Sequence, residues 1–132
     1  NEMAQGALRP ARARELCTAM QRASKGDRWV GTVATLSANN AGKGVLVIRV
    51  SDKLSSGTWN NELSDFEDRT LINPQSTLHA AAVQLRVGQA VSFQGLVIGH
   101  KDDCYREMSL TPTGAMTRPE FAMRFTDVRP IE

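Results

Sequence analysis

Residues 86–100 decide the fold of this chain, and they read RVGQAVSFQGLVIGH. Every second residue from Val91 to Val97 is apolar or glycine and falls on one side of an extended chain, whereas Ser92 falls on the other. This alternation is typical of a half-buried strand. Gly95 interrupts the apolar side, and glycine within a strand usually marks a bulge, a bend or a close backbone approach. The stretch therefore predicts a coiled strand in a small barrel.

Length and composition indicate one globular domain. The chain has 132 residues, of which 41% are hydrophobic and 23% are charged, as in soluble proteins with a single core. No apolar run approaches the roughly 20 residues of a membrane-spanning helix, so no transmembrane segment is predicted. The net charge of +2 is too small to attract a polyanion over long distances. Because the numbered chain begins at Asn1 rather than at methionine, we expect that an N-terminal segment was removed.

The other elements are predicted from hydrophobic periodicity and from turn residues. Within a single domain, 1–132, we expect a loose tail over 1–9, an N-terminal helix over 10–25 and a barrel over 28–128. In chain order, the elements after the first helix are strands at 27–36, 45–50 and 58–61, a helix at 77–86, a strand from Ala90, and strands at 105–111 and 121–128. Ser76 is the predicted N-cap of the second helix, and residues 51–57 are predicted to form a turn.

Residues 85–95 resemble part of a known fold. Their sequence, LRVGQAVSFQG, follows the pattern Leu-x-x-Gly-x-x-Val-x-x-x-Gly, which resembles the passage from the helix into the fourth strand of many OB-folds. The resemblance implies a mainly β protein, a small antiparallel Greek-key barrel with a short helix between strands 3 and 4, here preceded by the N-terminal helix. Because one strand more than five is predicted, another closed or half-open antiparallel barrel is the alternative.

The whole chain also resembles a small group of bacterial envelope lipoproteins that are described as nucleic-acid-binding OB-fold proteins. This resemblance implies a non-enzymatic binding module whose partner is single-stranded nucleic acid or an oligosaccharide. It also implies a periplasmic location, or a membrane anchor on the removed N-terminal segment, with the cytoplasm as the alternative. The second functional hypothesis is an interaction or assembly subunit that binds another envelope protein through a strand edge or the N-terminal helix.

Aromatic and basic side chains are the candidate ligand contacts, because single-strand binders stack bases on aromatic rings and follow the phosphates with cations. Trp59 is the first candidate for stacking and Trp29 the second, and packing in the core is the competing interpretation for both. The candidates for phosphate contacts are Arg49, Lys43 and Arg124. For Arg49, a solvated outer face of the barrel is the alternative.

Residues 60–68 combine two asparagines with four acidic side chains. Asn60 and Asn61 are candidates for a polar ligand pocket, and hydrogen bonds within a turn are the alternative. The acidic residues offer oxygen ligands for a hard cation, but their spacing matches no EF-hand loop. We therefore predict a solvated acidic loop and no metal site.

Cys17 and Cys104 are the only cysteines in the sequence. An even number is compatible with one disulfide in an oxidising compartment, and the polar turn around Cys104 favours pairing over an exposed thiol. Two free thiols in a cytosolic protein would give the same sequence, so both states stay open. Neither cysteine has a partner at the spacing of a zinc site.

No motif in the sequence indicates catalysis or a bound cofactor. No serine or cysteine has a nucleophile signature, and no phosphate-binding glycine motif occurs. His79 lies on the predicted helix 77–86 and His100 follows the fourth predicted strand, where structural or surface roles are the simplest interpretation. We therefore predict no catalytic residue and no cofactor.

Overall fold

The computed structural model of the protein describes residues 28–51, 54–66, 68–98 and 120–131. These residues form five strands and two short helices. In chain order, they are β1 (Trp29–Ala38), β2 (Gly44–Ser51), β3 (Leu54–Gly57), α1 (Glu62–Asp65), α2 (Thr77–Ala82), β4 (Ala90–Val97) and β5 (Glu120–Pro130). The predicted tail, the N-terminal helix, the strand at 105–111, both cysteines and His100 lie outside the described residues.

The five strands close into a barrel in the order β1-β2-β3-β5-β4. β1 pairs with β2 and β4, β2 pairs with β3, and β4 pairs with β5, all in antiparallel orientation. β3 and β5 run parallel, which departs from a purely antiparallel barrel. The closed five-stranded barrel, with α2 between the third and fourth strands, confirms the prediction of a small OB-like fold. The short helix α1 was not predicted.

β4 has the coiled geometry that its glycines predict. Phe93 is fully buried, as expected for the apolar side of the strand. Gly88, in the turn before β4, has a φ of 90°, which glycine adopts without the steric strain of a side chain. A Cβ added at Gly95 would lie 2.7 Å from the carbonyl oxygen of Arg124, and the register with β5 shifts at the same place. Gly95 thus marks both a bulge and a close backbone approach.

The third strand lies at Leu54–Gly57, so the predictions of a turn over 51–57 and of a strand over 58–61 are wrong. Serine and glycine favour turns in isolation, but this segment pairs with β2 on one side and with β5 on the other. A Cβ at Gly57 would lie 2.8 Å from Cγ2 of Val47. Pairing on both sides and close packing therefore override the low strand propensity of the segment.

The interior of the barrel is filled by apolar side chains from the strands and from α2. The largest fully buried ones are Phe93, Phe121, Leu46, Ile48 and Met123. Trp29 is half-buried at the edge of this core, with its ring centroid 6.2 Å from that of Phe93 and 5.9 Å from that of Phe121. Trp29 therefore packs against the core, which is the alternative given above to a role in ligand stacking.

α2 begins where its cap predicts. The Ser76 hydroxyl accepts a hydrogen bond from the backbone N–H of His79 at 3.1 Å, but the helix ends at Ala82, earlier than predicted. Ala82 and Leu85 are buried, whereas Ala81 is exposed. Among the described residues, no helix is long and apolar enough to cross a membrane.

Candidate functional site

A depression of about 890 Å³ lies where the loop between β1 and β2 meets the segment between β3 and α2. Its lining includes three basic side chains, two acidic ones and one aromatic ring, namely Lys43, Arg69, Arg124, Glu62, Asp65 and Phe66. Lys43 and Arg124 are among the predicted phosphate contacts, and the structure brings them to one site. We refer to this concavity as the main depression.

The floor of the main depression is organised by the buried carboxylate of Asp65, which is 5% exposed. One oxygen accepts hydrogen bonds from the Thr70 backbone N–H at 2.6 Å and from the Thr70 hydroxyl at 2.5 Å. The other oxygen accepts from the Leu71 backbone N–H at 3.0 Å. The prediction of a solvated acidic loop is therefore wrong for this residue, because backbone donors compensate the burial of its charge.

Trp59 adds a second layer to the same floor. Its backbone N–H donates to the Thr70 hydroxyl oxygen at 2.9 Å, so Thr70 bridges Trp59 and Asp65. Its indole Nε1 donates to Oδ2 of Asp68 at 2.7 Å, and Asp68 is also buried. The half-buried indole is thus held beside the floor by its hydrogen bonds, and the ring does not line the main depression.

Arg124 extends from β5 and fixes the loop at Arg69. Its Nε donates to the carbonyl oxygen of Arg69 at 3.1 Å, and its Nη2 donates to that of Asp68 at 2.6 Å. Arg69 has a φ of 53°, a conformation that costs a residue with a side chain about 1–3 kcal/mol and persists only when neighbouring contacts hold it. The two bonds from Arg124 are such contacts, and they leave the Arg69 side chain exposed at the rim.

The loop between β1 and β2 forms another part of the rim, and it holds the side chain of Asn39 in place. Asn39 Oδ1 accepts hydrogen bonds from the backbone N–H groups of Ala41 at 3.0 Å and of Lys43 at 2.9 Å, while Gly42 adopts a φ of 80°. The amide Nδ2 of Asn39 then donates across the rim to Oε1 of Glu62 at 3.3 Å. The loop and α1 are thereby joined.

The Glu62 carboxylate accepts hydrogen bonds from two side chains at this rim. Lys43 Nζ donates to its Oε2 at 3.1 Å. This hydrogen bond, followed by the one from Asn39, lowers the pKa of the Glu62 carboxyl below its ordinary value. Both bonds favour the charged form, so Glu62 is an anion opposite two donors.

Phe66 is the functional candidate that the sequence did not identify. Its side chain is 80% exposed, follows α1 directly and lines the main depression. A large exposed aromatic ring in one concavity with cationic groups is an arrangement that single-strand binders use to stack on nucleic-acid bases. The sequence gives no signal for it, because the burial of the preceding Asp65 depends on backbone donors.

The remaining predicted contacts lie elsewhere. Arg49 is exposed on β2 and lines a separate depression of about 320 Å³ that includes Val30 and Val50. Asn61 is the N-cap of α1, since its Oδ1 accepts from the Ser64 N–H at 2.8 Å, and its Nδ2 donates to Asn60 Oδ1 at 2.9 Å. The two asparagines therefore make the hydrogen bonds within a turn that were the alternative to a ligand role.

Comparison with known proteins identifies no relative of this chain. The chain matches no protein-family model, no curated protein and no solved structure. These comparisons give no support to the resemblance to bacterial envelope lipoproteins, which stays a prediction. A functional proposal therefore depends on the barrel and on the geometry of the main depression.

Proposed function

We propose that the protein is a non-enzymatic, OB-like binding module that takes single-stranded nucleic acid in the main depression. The observation that carries the proposal is the 80% exposed ring of Phe66 in one concavity with Lys43 and Arg69. Stacking surfaces beside cations are what single-strand binders use. The position also favours this function, because OB-folds bind oligomers with the face of strands 2 and 3 and with the loop between strands 1 and 2, and Lys43 lies in the loop between β1 and β2.

Rigidity of the floor supports the same proposal. The segment that carries Phe66 and Arg69 is held by three hydrogen bonds to the Asp65 carboxylate and two from the Arg124 guanidinium. A loop that is already ordered loses less conformational entropy when it binds. The guanidinium of Arg124 thus has a positioning role, and Lys43 and Arg69 are the cations that reach the phosphates.

Salt dependence of binding tests this proposal. With two phosphate contacts, the affinity for a fluorescein-labelled oligothymidylate of about 12 nucleotides is expected to fall about sevenfold between about 50 and about 200 mM salt. Fluorescence anisotropy measures both dissociation constants. Arg69→Ala should reduce the slope of log affinity against log salt by about 0.7.

Arg49→Ala is the matched control, because it removes the same charge from the separate depression. Its affinity and slope should equal those of the wild type. Absence of salt-sensitive binding, or an equal loss in Arg49→Ala and Arg69→Ala, would contradict the proposal.

One observation favours a second candidate function, a protein-interaction or assembly subunit. Leu63 is 89% exposed and lies three residues before Phe66, so α1 and its C-cap residue expose two large apolar side chains, as protein-binding patches do. Only Phe66 lines the main depression. A partner protein of the bacterial envelope that binds this patch would contact both apolar side chains. Single-strand binding would use Phe66 and would not use Leu63.

A further inference from the structure

We propose that Glu62 occupies the position of a ligand phosphate, and that a phosphodiester binds by displacing its carboxylate from Lys43 and Asn39. The inference rests on the proposed function and names the regulation of the same site. Glu62 would then compete with every ligand for the two donors. An anionic oligomer can replace the carboxylate and a neutral one cannot, so the site would prefer nucleic acid to a neutral oligosaccharide.

The geometry of the contact matches a phosphate group. Lys43 Nζ donates to Oε2 of Glu62 at 3.1 Å, and Asn39 Nδ2 donates to Oε1 at 3.3 Å. Each donor therefore addresses a different oxygen of the same anion. A phosphodiester presents two non-bridging oxygens that share one negative charge, so it can accept from the same pair of donors.

The Asn39 amide and the Lys43 backbone do not depend on Glu62 for their position. Because Asn39 Oδ1 accepts from the backbone N–H groups of Ala41 and Lys43, the Nδ2 of that side chain must point away from the hairpin loop. The backbone of Lys43 is tied into the same loop by the bond from the Asn39 N–H to its carbonyl oxygen at 2.9 Å. The Asn39 donor is thus preorganised before a ligand arrives, and the Lys43 side chain extends from an ordered backbone.

Displacement of Glu62 requires no unfolding. The side chains of Lys43 and Glu62 are 41% and 48% exposed, and ion pairs at such positions contribute little to stability because water solvates both partners. Glu62 is the first residue of α1, and its side chain can turn into solvent while the N-cap and the buried Asp65 keep the helix in place. A neutral ligand gains no charge attraction that would compensate for the lost pair.

A double-mutant cycle tests the inference with the labelled oligothymidylate as the probe. Glu62→Gln is expected to raise the affinity about two- to fivefold, the range expected from an exposed charge pair. In the Lys43→Ala background the same change should give a smaller gain, because only the Asn39 donor remains to be released. Glu120→Gln removes an equal charge from β5 outside the main depression and should leave the affinity unchanged.

Three results would overturn the inference. The first is an affinity of Glu62→Gln no higher than that of the wild type, the second is an equal gain in Glu120→Gln, and the third is an undiminished gain in the Lys43→Ala background. If neither the wild type nor Glu62→Gln binds at about 50 mM salt, the proposed function fails together with the inference. Binding by the wild type without a gain in Glu62→Gln defeats the inference alone, and thermal unfolding of each variant verifies its fold.

Discussion

Phe66→Ala is expected to weaken single-strand binding by about 5- to 150-fold, the effect of losing one base-stacking contact. The ring is 80% exposed, so its removal opens no cavity and should leave the urea midpoint of unfolding unchanged. Anisotropy titration with the labelled oligothymidylate gives the change in dissociation constant. A large loss of affinity without a loss of stability would identify Phe66 as a ligand contact.

Two control variants sharpen this result. Phe66→Trp retains a stacking surface and should bind at least as tightly as the wild type. Leu63→Ala removes the neighbouring apolar side chain, which does not line the main depression, and should leave the affinity unchanged. Equal losses in Leu63→Ala and Phe66→Ala would contradict stacking and would support the protein-interaction alternative.

Asp65→Ala is expected to lower the free energy of unfolding by roughly 2–6 kcal/mol, because it leaves the backbone N–H groups of Thr70 and Leu71 without their acceptor. These groups lie in a buried or half-buried segment where water replaces the carboxylate poorly. Urea unfolding measures the change. Without urea, and where the variant stays folded, its affinity for the oligonucleotide should also fall, because the segment that carries Phe66 loses its hydrogen bonds to the Asp65 carboxylate.

Asp65→Asn is the milder variant. Its amide keeps one acceptor oxygen but turns its NH2 group toward a backbone N–H, so its free energy of unfolding should lie between those of the wild type and Asp65→Ala. Glu62→Ala removes an exposed carboxylate from the same helix and should change the stability little. The anchoring role of Asp65 would be refuted if Asp65→Ala and Glu62→Ala had equal unfolding midpoints.

The sequence predicted the strands whose faces alternate. In β4, alternating apolar residues and Gly95 specified the strand, its buried face and its bulge, because both features depend on local geometry. β3 was missed, because its residues form a strand only through pairing with β2 and β5. The partner β5 follows β3 by more than sixty positions in the chain, and local propensity carries no information about such a contact.

The candidate site was predicted in part for a similar reason. Lys43 and Arg124 were found from charge and from their place in the barrel, and both line the main depression. Asp65 and Phe66 were not found, because the acidic segment has the composition of a solvated loop. The burial of Asp65 is set by the backbone N–H groups of Thr70 and Leu71, and backbone donors leave no trace in a pattern of side chains.

Photo-crosslinking tests the location of the site most directly. A single strand that carries 5-bromouracil, bound to the wild-type protein and irradiated, crosslinks to aromatic side chains in stacking contact, and mass spectrometry of the digest identifies the attached residue. We expect the crosslink at Phe66, and its loss when unlabelled single strand competes. A crosslink at Trp29 with Phe66 unmodified would contradict a binding site in the main depression.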